Sequence, residues 1–252
     1  MHFHIHRHDT IPSTSETAFE SLSAGTAHHG DIHVARAQTK GRGRLGRAWH
    51  SDDSAGLYMS AILLPARALS PAGLTIAAGL GVLDTVVESG LANARLKWPN
   101  DVVVETKNGA AKLAGILVET RGLDPREPHY VVGIGVNVAQ VSFPSELLAE
   151  RLVTSLKTCA IDIDVDALLD RLLPHFAQRV EQIERDPRRL ARDFLVATKL
   201  AGERVQVNAG ERRRSGRIES FELDTGLALL ADDGERMHFA LEIVREMRAL
   251  KD

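Results

Sequence analysis

Residues 41–49 read Gly41-Arg42-Gly43-Arg44-Leu45-Gly46-Arg47-Ala48-Trp49, three glycines and three arginines that end on one of the two tryptophans in the chain. Glycine lets a backbone approach a ligand closely, because it has no Cβ and takes positive φ freely. Arginine adds a permanent charge in a fork geometry suited to phosphate and carboxylate. Trp49 offers a flat apolar face beside them. Such residues at this spacing suit an anionic ligand that also carries a ring. Lys97-Trp98-Pro99-Asn100-Asp101 gathers a cation, a ring, an amide and a carboxylate at a strand-to-strand turn; read alone, it is equally a hairpin corner around a buried tryptophan. Lys112–Glu119 is an apolar strand that opens on a lysine and holds Gly115 where a ligand or backbone can pass closely. In Gly133-Ile134-Gly135-Val136-Asn137-Val138 the two glycines are spaced by two, so both lie on one strand face. That bare backbone makes a floor for a flat ligand.

The spacing Gly41-x-Gly43-x-x-Gly46 also satisfies the dinucleotide-binding fingerprint, which needs a helix directly afterwards to receive the pyrophosphate. Residues 47–56 carry no helical apolar stripe and read as a loop, so that site is excluded. No Gly-Lys-Ser/Thr follows the glycines, which excludes a Walker A loop. Arg-Gly segments that bind nucleic acid repeat and sit in basic surroundings. Here the run occurs once, in a chain of formal net charge −3, and nucleic-acid binding is not expected. Repulsion among the arginines predicts a loop that stays mobile until an anion neutralises it.

The elements that must position these residues follow from periodicity. Strands are expected at 31–37, Leu57–Leu64 (closed by Pro65), Arg95–Trp98, Val102–Glu105, Leu113–Glu119 and Tyr130–Val138. Turns at Pro99-Asn100, Asn108-Gly109 and Asp124-Pro125 separate the later ones. Leu74, Ala77, Ala78, Val82 and Val86 recur at helical spacing over Pro71–Glu88, with Pro71 in the first turn. Helical periodicity returns at 145–157 and 166–184, where Pro174 predicts a kink or break. His2, His4, His6 and His8 alternate with Phe3, Ile5 and Arg7, the pattern of a strand with one wet histidine face. A metal site is the sharper alternative, without the Cys or carboxylate cluster that would complete it. Beyond about residue 198 the character changes. Val205/Val207, Arg217–Phe221, Leu227–Leu230 and Met237–Val244 read as short strands of a small barrel or sandwich.

At 252 residues and 44% hydrophobic content the chain has ample core for a main domain plus a small one. The single cysteine, Cys159, excludes an internal disulfide and fits a reducing compartment. No run approaches the ~20 apolar residues of a membrane span, and the N-terminus has no signal-peptide core. A cytoplasmic protein with no membrane partner is expected.

Taken together, Gly41–Trp49, Lys97–Asp101, Lys112–Glu119 and Gly133–Asn137 stand in the order and character of the biotin protein ligases, the biotin–[acetyl-CoA-carboxylase] ligases. The chain resembles that family from about Ser13 into the C-terminal β module. The resemblance implies an α+β fold: a class II synthetase-like catalytic domain at 1–198, with a mixed β-sheet flanked by helices, and a small SH3-like β-barrel at 199–252. It implies two-step chemistry. Biotin carboxylate attacks the α-phosphate of Mg-ATP to give biotinoyl-5′-AMP and pyrophosphate, and a lysine of the biotin carboxyl carrier protein then takes the biotinoyl group and releases AMP. Joining a carboxylate to a polyphosphate requires fixed cations and a metal, here Mg2+.

Residue by residue, Lys112 resembles the family's catalytic lysine, touching both the biotin carboxylate and the α-phosphate. Arg42 and Arg44 look like the closest catalytic cations, Arg42 on the biotin and Arg44 on both biotin and ATP, with Arg47 on the nucleotide. Trp49 is similar to the adenine-stacking ring, and Asn137 is a further adenine-side residue. Asn100 and Asp101 resemble the nucleotide side, with Asp101 the metal candidate. Ser13, Thr14 and Gln38 resemble the polar contacts to the ureido ring, and Gly41, Gly115, Gly133 and Gly135 the backbone around the bicycle. A ureido group needs donors and acceptors, which hydroxyl and amide side chains supply. Two departures stand out: Ser13-Thr14-Ser15 where the family usually has Ser-Thr-Asn, and Phe239–Arg245 where it has a glycine-glutamate ending. No part in covering ATP is assigned to that last segment. The chain lacks the winged helix-turn-helix of bifunctional members, so a ligase that is not a repressor is expected. Family members are often homodimers through the catalytic domain, and the sequence leaves open whether this chain is one. Lipoate ligases and lipoyl/octanoyl transferases share the fold, and a non-catalytic protein that binds biotin or RNA is the alternative from another class. The arginine loop and Lys97–Asp101 favour biotin. Lys112, which a mere binder does not need, favours catalysis.

Overall fold

The structure is a computed structural model that describes residues 1–51, 55–122, 124, 126–210 and 212–250. Its main sheet contains β1 (His4–Ile11), β2 (Asp31–Gln38), β3 (Gly56–Leu63), β4 (Ala94–Lys97), β5 (Asp101–Thr106), β6 (Gly109–Glu119) and β7 (Tyr130–Asn137). The spatial order is β1-β2-β3-β7-β6-β5-β4. Only the β1–β2 pair is parallel, so the sheet is mixed, as expected.

Strand periodicity sorts the sheet into two faces. Leu57, Met59, Ala61 and Leu63 of β3, with Val132, Ile134 and Val136 of β7, join the main core. Against that face pack α2 (Pro71–Glu88) and α4 (Val165–Arg185), with α5 (Pro187–Ala197) alongside. Ser70 caps α2 by accepting from the Gly73 N–H, and Pro71 occupies its first turn. By length and composition α2 is apolar enough to cross a membrane, yet two thirds of it is buried inside this fold. The opposite face carries Ile62 and Val131 under Ala18 and Phe19 of α1 (Thr14–Ser23). Tyr58, Ser60, Gly133 and Gly135 share that second face by register, and the N-terminal residues of α1, Thr14 and Ser15, meet it at Ser60.

The second sheet is antiparallel, order β11-β10-β9-β8-β12, built from β8 (Arg204–Ala209), β9 (Arg212–Glu222), β10 (Gly226–Ala231), β11 (Arg236–Phe239) and β12 (Val244–Ala249). It joins the first through one continuous core. Trp98 is the bolt. Its indole N–H donates to the Val244 carbonyl at 2.9 Å, and its ring meets Phe194 and Phe221 edge-on.

Several expectations are corrected. Helices α1 and α5 were not anticipated. The helix at 145–157 is only a short α3, Ser145–Glu150. Beyond it the chain extends, because the carbonyl of Leu152 and the N–H of Thr154 bond the backbone of Lys112, and a strand edge outweighs helical periodicity. Helix α4 runs unbroken through Pro174. Met237–Val244 is not one strand: after β11 a short 3₁₀ turn at Leu241–Ile243 carries the chain across to pair β12 with β8. The turn at Asp124-Pro125 and the loop at 47–56 fall partly on residues 52–54 and 125, outside the described residues.

Candidate active site

A cleft of about 740 Å3 lies on the second face of the main sheet. Its floor is glycine by register: Gly115 of β6 stands directly opposite Gly135 of β7, with Gly133 two residues away against Ser60 of β3. A Cβ on Gly135 would come within 2.5 Å of the Trp49 ring, and one on Gly115 within 2.9 Å. Nothing larger than glycine fits under that ring.

Lys112 reaches this face through a β-bulge. The register between β5 and β6 shifts between Val102 and Val103, so that Asp101 pairs Gly115 while Val103 pairs Lys112. Strict alternation from Gly115 would put Leu113 in the cleft and Lys112 in the core. The extra residue reverses this: Leu113 is fully buried and Lys112 lines the cleft. Its ammonium is 2.6 Å from the Asp101 carboxylate and 5.4 Å from the centre of the Trp49 ring. Asn100 is fixed by donating to the Ile116 carbonyl at 2.8 Å, while its own oxygen lies 3.4 Å from Arg44 Nη1. Burial pushes the Arg44 guanidinium below its ordinary value, opposed by the nearby Asp101 charge.

The two outer arginines behave differently. Arg42 lines the cleft wall but turns its guanidinium to Glu119 (2.9 Å) and Glu16 (3.6 Å), leaving its buried Nε without a partner. Arg47 is exposed, and its carbonyl accepts from the Gly43 N–H at 2.7 Å, closing the loop on itself. The Gly41 carbonyl accepts from the Trp49 N–H at 2.9 Å, so the loop is a narrow ribbon with Leu45 at its tip. No helix follows the glycines through Ser51.

At the far end the lining is neutral. Gln38 Oε1 accepts from the Thr14 backbone N–H at 2.8 Å and from its hydroxyl at 3.2 Å. The Thr14 hydroxyl also meets Ser60 at 2.8 Å, and Ser15 meets Ser60 at 3.0 Å. Ser13 caps α1 without spending its side chain on the helix. Ser60 was missed from sequence. A serine inside the apolar run Leu57–Leu64 was the available signal, since a buried hydroxyl demands partners. Ser51, buried and bonded to Gln38, was missed too.

A second cavity, about 410 Å3, adjoins the first. Trp49, Tyr58, Lys112 and Arg151 line both. Asn137 lines it as well, though its amide already donates to the Thr154 carbonyl at 2.9 Å. The Trp49 indole N–H is buried without an acceptor. Glu242 of the 3₁₀ turn and Arg245 and Glu246 of β12 also line the cleft, so the segment that departs from the family ending does reach the site. The structure thus gathers Ser13, Thr14, Gln38, Arg42, Arg44, Arg47, Trp49, Asn100, Asp101, Lys112, Gly115, Gly133 and Gly135 around one cleft; Asn137 faces the adjoining cavity, and Gly41 braces the loop.

The Biotin/lipoate A/B protein ligase family matches residues 8–137. The bifunctional ligase/repressor BirA of Bacillus subtilis is 37% identical over 70% of this chain and 53% of its own length, so the chain spans about half of that relative. The biotin–[acetyl-CoA-carboxylase] ligase of Paracoccus denitrificans is 32% identical over 92% of this chain and 98% of its own. Among solved structures, the biotin protein ligase of Aquifex aeolicus in complex with biotin and ATP has a TM-score of 0.78 at 26% identity, covering 98% of this chain and 99% of that one. The chain belongs to the Biotin/lipoate A/B protein ligase family.

Proposed function

We propose that this protein is an ATP-dependent biotin protein ligase, with residues 1–198 as its catalytic domain and 199–252 as a C-terminal module that borders the site. The observation that carries the reading is the placement of Lys112 where two unlike cavities meet. One ends in neutral hydroxyls and an amide, which suit a ureido ring. The other is walled by Trp49, Tyr58 and the adjoining apolar side chains, which suit adenine. The relatives named as biotin ligases over most of this chain support biotin rather than lipoate as the acid.

In the first step a biotin carboxylate oxygen forms a bond to the α-phosphorus of ATP as the bond to the β-phosphate oxygen breaks, releasing pyrophosphate. Two anions must approach, and Lys112 and Arg44 lower that repulsion in a partly desolvated site. In the second, the uncharged ε-amine of an acceptor lysine attacks the mixed anhydride carbonyl, AMP leaves, and the amine proton passes to solvent. The acceptor is a biotin carboxyl carrier protein. Mg2+ fits as an ion that arrives with the nucleotide. Asp101 is a single carboxylate at the centre, and Mg2+ bound to phosphates needs only one or two from the protein. No group of three metal-ligating side chains is gathered among the described residues. When bound, the ion would neutralise triphosphate charge; Asp101 would hold it while Lys112 keeps to the reacting oxygens.

The test mixes the protein with biotin, Mg-ATP and an apo carrier domain. Biotinyl-carrier, AMP and pyrophosphate in equal amounts are expected. Transfer of lipoate with no transfer of biotin would overturn the reading.

A further inference from the structure

Arg151 is the residue that neither the sequence motifs nor the reaction above had used. It and Lys112 are the cationic side chains that line both cavities. Its position is built by the backbone rather than left to chance. The Arg151 N–H closes α3 on the Leu147 carbonyl at 3.1 Å, and the next residue, Leu152, accepts from the Lys112 N–H at 2.8 Å. Val153 then bridges Lys112 in parallel, and strand alternation puts Arg151 on the same side as Val153, which faces the smaller cavity. The segment that carries Arg151 is therefore pinned to the lysine at the reacting centre.

Three of the other cations that line the cleft are already engaged, while Lys97, Arg47 and Arg245 line the larger cavity only. The Lys112 ammonium is 2.6 Å from Asp101, Arg42 is held by Glu119 and Glu16, and Arg44 is turned toward Asn100 and Asp101. Arg151 holds only its neighbour Glu150, at 2.9 Å, and the Glu150 side chain is 66% exposed. An exposed pair of that kind contributes little and is readily exchanged for a stronger anion. We infer that Arg151 is a phosphate-binding residue for the nucleotide, releasing Glu150 and closing a bidentate contact on ATP phosphate oxygens across from Lys112. Glu150 stands in for that anion until the nucleotide arrives. Its carboxyl is held below the ordinary range, first by the hydrogen bond from Arg151.

The inference rests on the ligase reading, and one experiment separates the two. Biotin-dependent pyrophosphate release is measured for the intact protein, Arg151→Ala and Arg151→Lys, varying Mg-ATP and biotin in turn, alongside thermal unfolding with and without biotin. If the unchanged protein releases no pyrophosphate, the ligase reading fails whatever Arg151 does. With an active protein, Arg151→Ala should raise KM for ATP at least tenfold and KM for biotin by less than twofold, and Arg151→Lys should restore part of the loss. Biotin should still raise the melting temperature of both variants, which shows a folded biotin end. KM for ATP within twofold of the unchanged protein, or equal losses for both substrates, would overturn the assignment.

Discussion

The two ends of the cleft are built by opposite means. The end formed by Thr14, Ser15, Gln38 and Ser60 is a chain of neutral hydrogen bonds between 2.8 and 3.2 Å, anchored on α1 and two strands, β2 and β3. The end formed by Arg42, Arg44, Lys112 and Arg151 is charged, and three of its four cations are held by carboxylates. A neutral chain of short bonds is preorganised: its side chains are already fixed by one another, so ordering them for a ligand costs little. Cations held by carboxylates are poised differently. Each can exchange its partner for a ligand anion without ever being left as an uncompensated charge. On the ligase reading proposed above, the difference keeps recognition and chemistry apart, one end for shape and donors, the other for charge.

Removing the central charge should produce the largest effect. Lys112→Ala is expected to lower biotin-dependent pyrophosphate release by 1,000-fold or more, on the scale of losing a main electrostatic contact to the transition state. The fold should survive, because Arg44 remains beside Asp101, and melting curves check this. An active Lys112→Ala protein would end the division of labour drawn above. Next comes the floor both ends share. Gly135→Val should cut biotinyl transfer at least 100-fold, since its Cβ would lie 2.5 Å from the rigid Trp49 ring. Calorimetry with biotin alone should show the loss at the binding step.

How much of this was legible in the chain differs by level. The glycine floor was readable, because spacing by two places residues on one face whatever the partner strands are. Lys112 was readable as a residue but not as a geometry: strict alternation from Gly115 points it into the core, and only the bulge at Val102/Val103 turns it out. Bulges depend on the partner strand, which no local pattern reports. Ser60 was hidden by its apolar neighbours, and Arg151 by a helical periodicity that the edge at Lys112 overrides. Glu242, Arg245 and Glu246 reach the cleft because Trp98, 146 residues away from Val244 in sequence, bolts the second sheet to the first. The sequence could show that Trp98 would be buried in a hairpin corner, but not against what.

Acid should act on the neutral end through its strand. β2 carries Gln38 at its end and His33 near its start, where burial, then the charges of His6 and His8, press His33 down to about 4, with Asp31 opposing. A depressed histidine pKa means that the unfolded chain binds the extra proton between pH ~6.5 and ~4. Stability therefore falls as pH drops through that window, by up to about 3 kcal/mol. Denaturant midpoints measured against pH should show this slope, and His33→Asn should flatten it. Ser60→Ala is a smaller and more local test. It removes the hydroxyl bonded to both Thr14 and Ser15, at roughly 1 kcal/mol per bond, and should weaken biotin binding about tenfold with KM for ATP unchanged.

Salt gives the mildest test and separates the two ends without any mutation. Ion pairs at the exposed mouth are screened over a Debye length of about 10 Å at 0.1 M and about 3 Å at 1 M, whereas hydrogen bonds between neutral buried groups are not. Raising KCl from about 50 to about 500 mM should therefore raise KM for ATP about threefold and leave biotin affinity within a factor of about 1.5. Glu150, Glu119 and Asp101 moderate the first effect, because screening also loosens their hold on the cations that ATP must win from them. An equal response of both substrates to salt would mean that the carboxylate of biotin, rather than its ring, dominates its binding. The neutral chain of hydroxyls and amide would then be scaffolding rather than recognition.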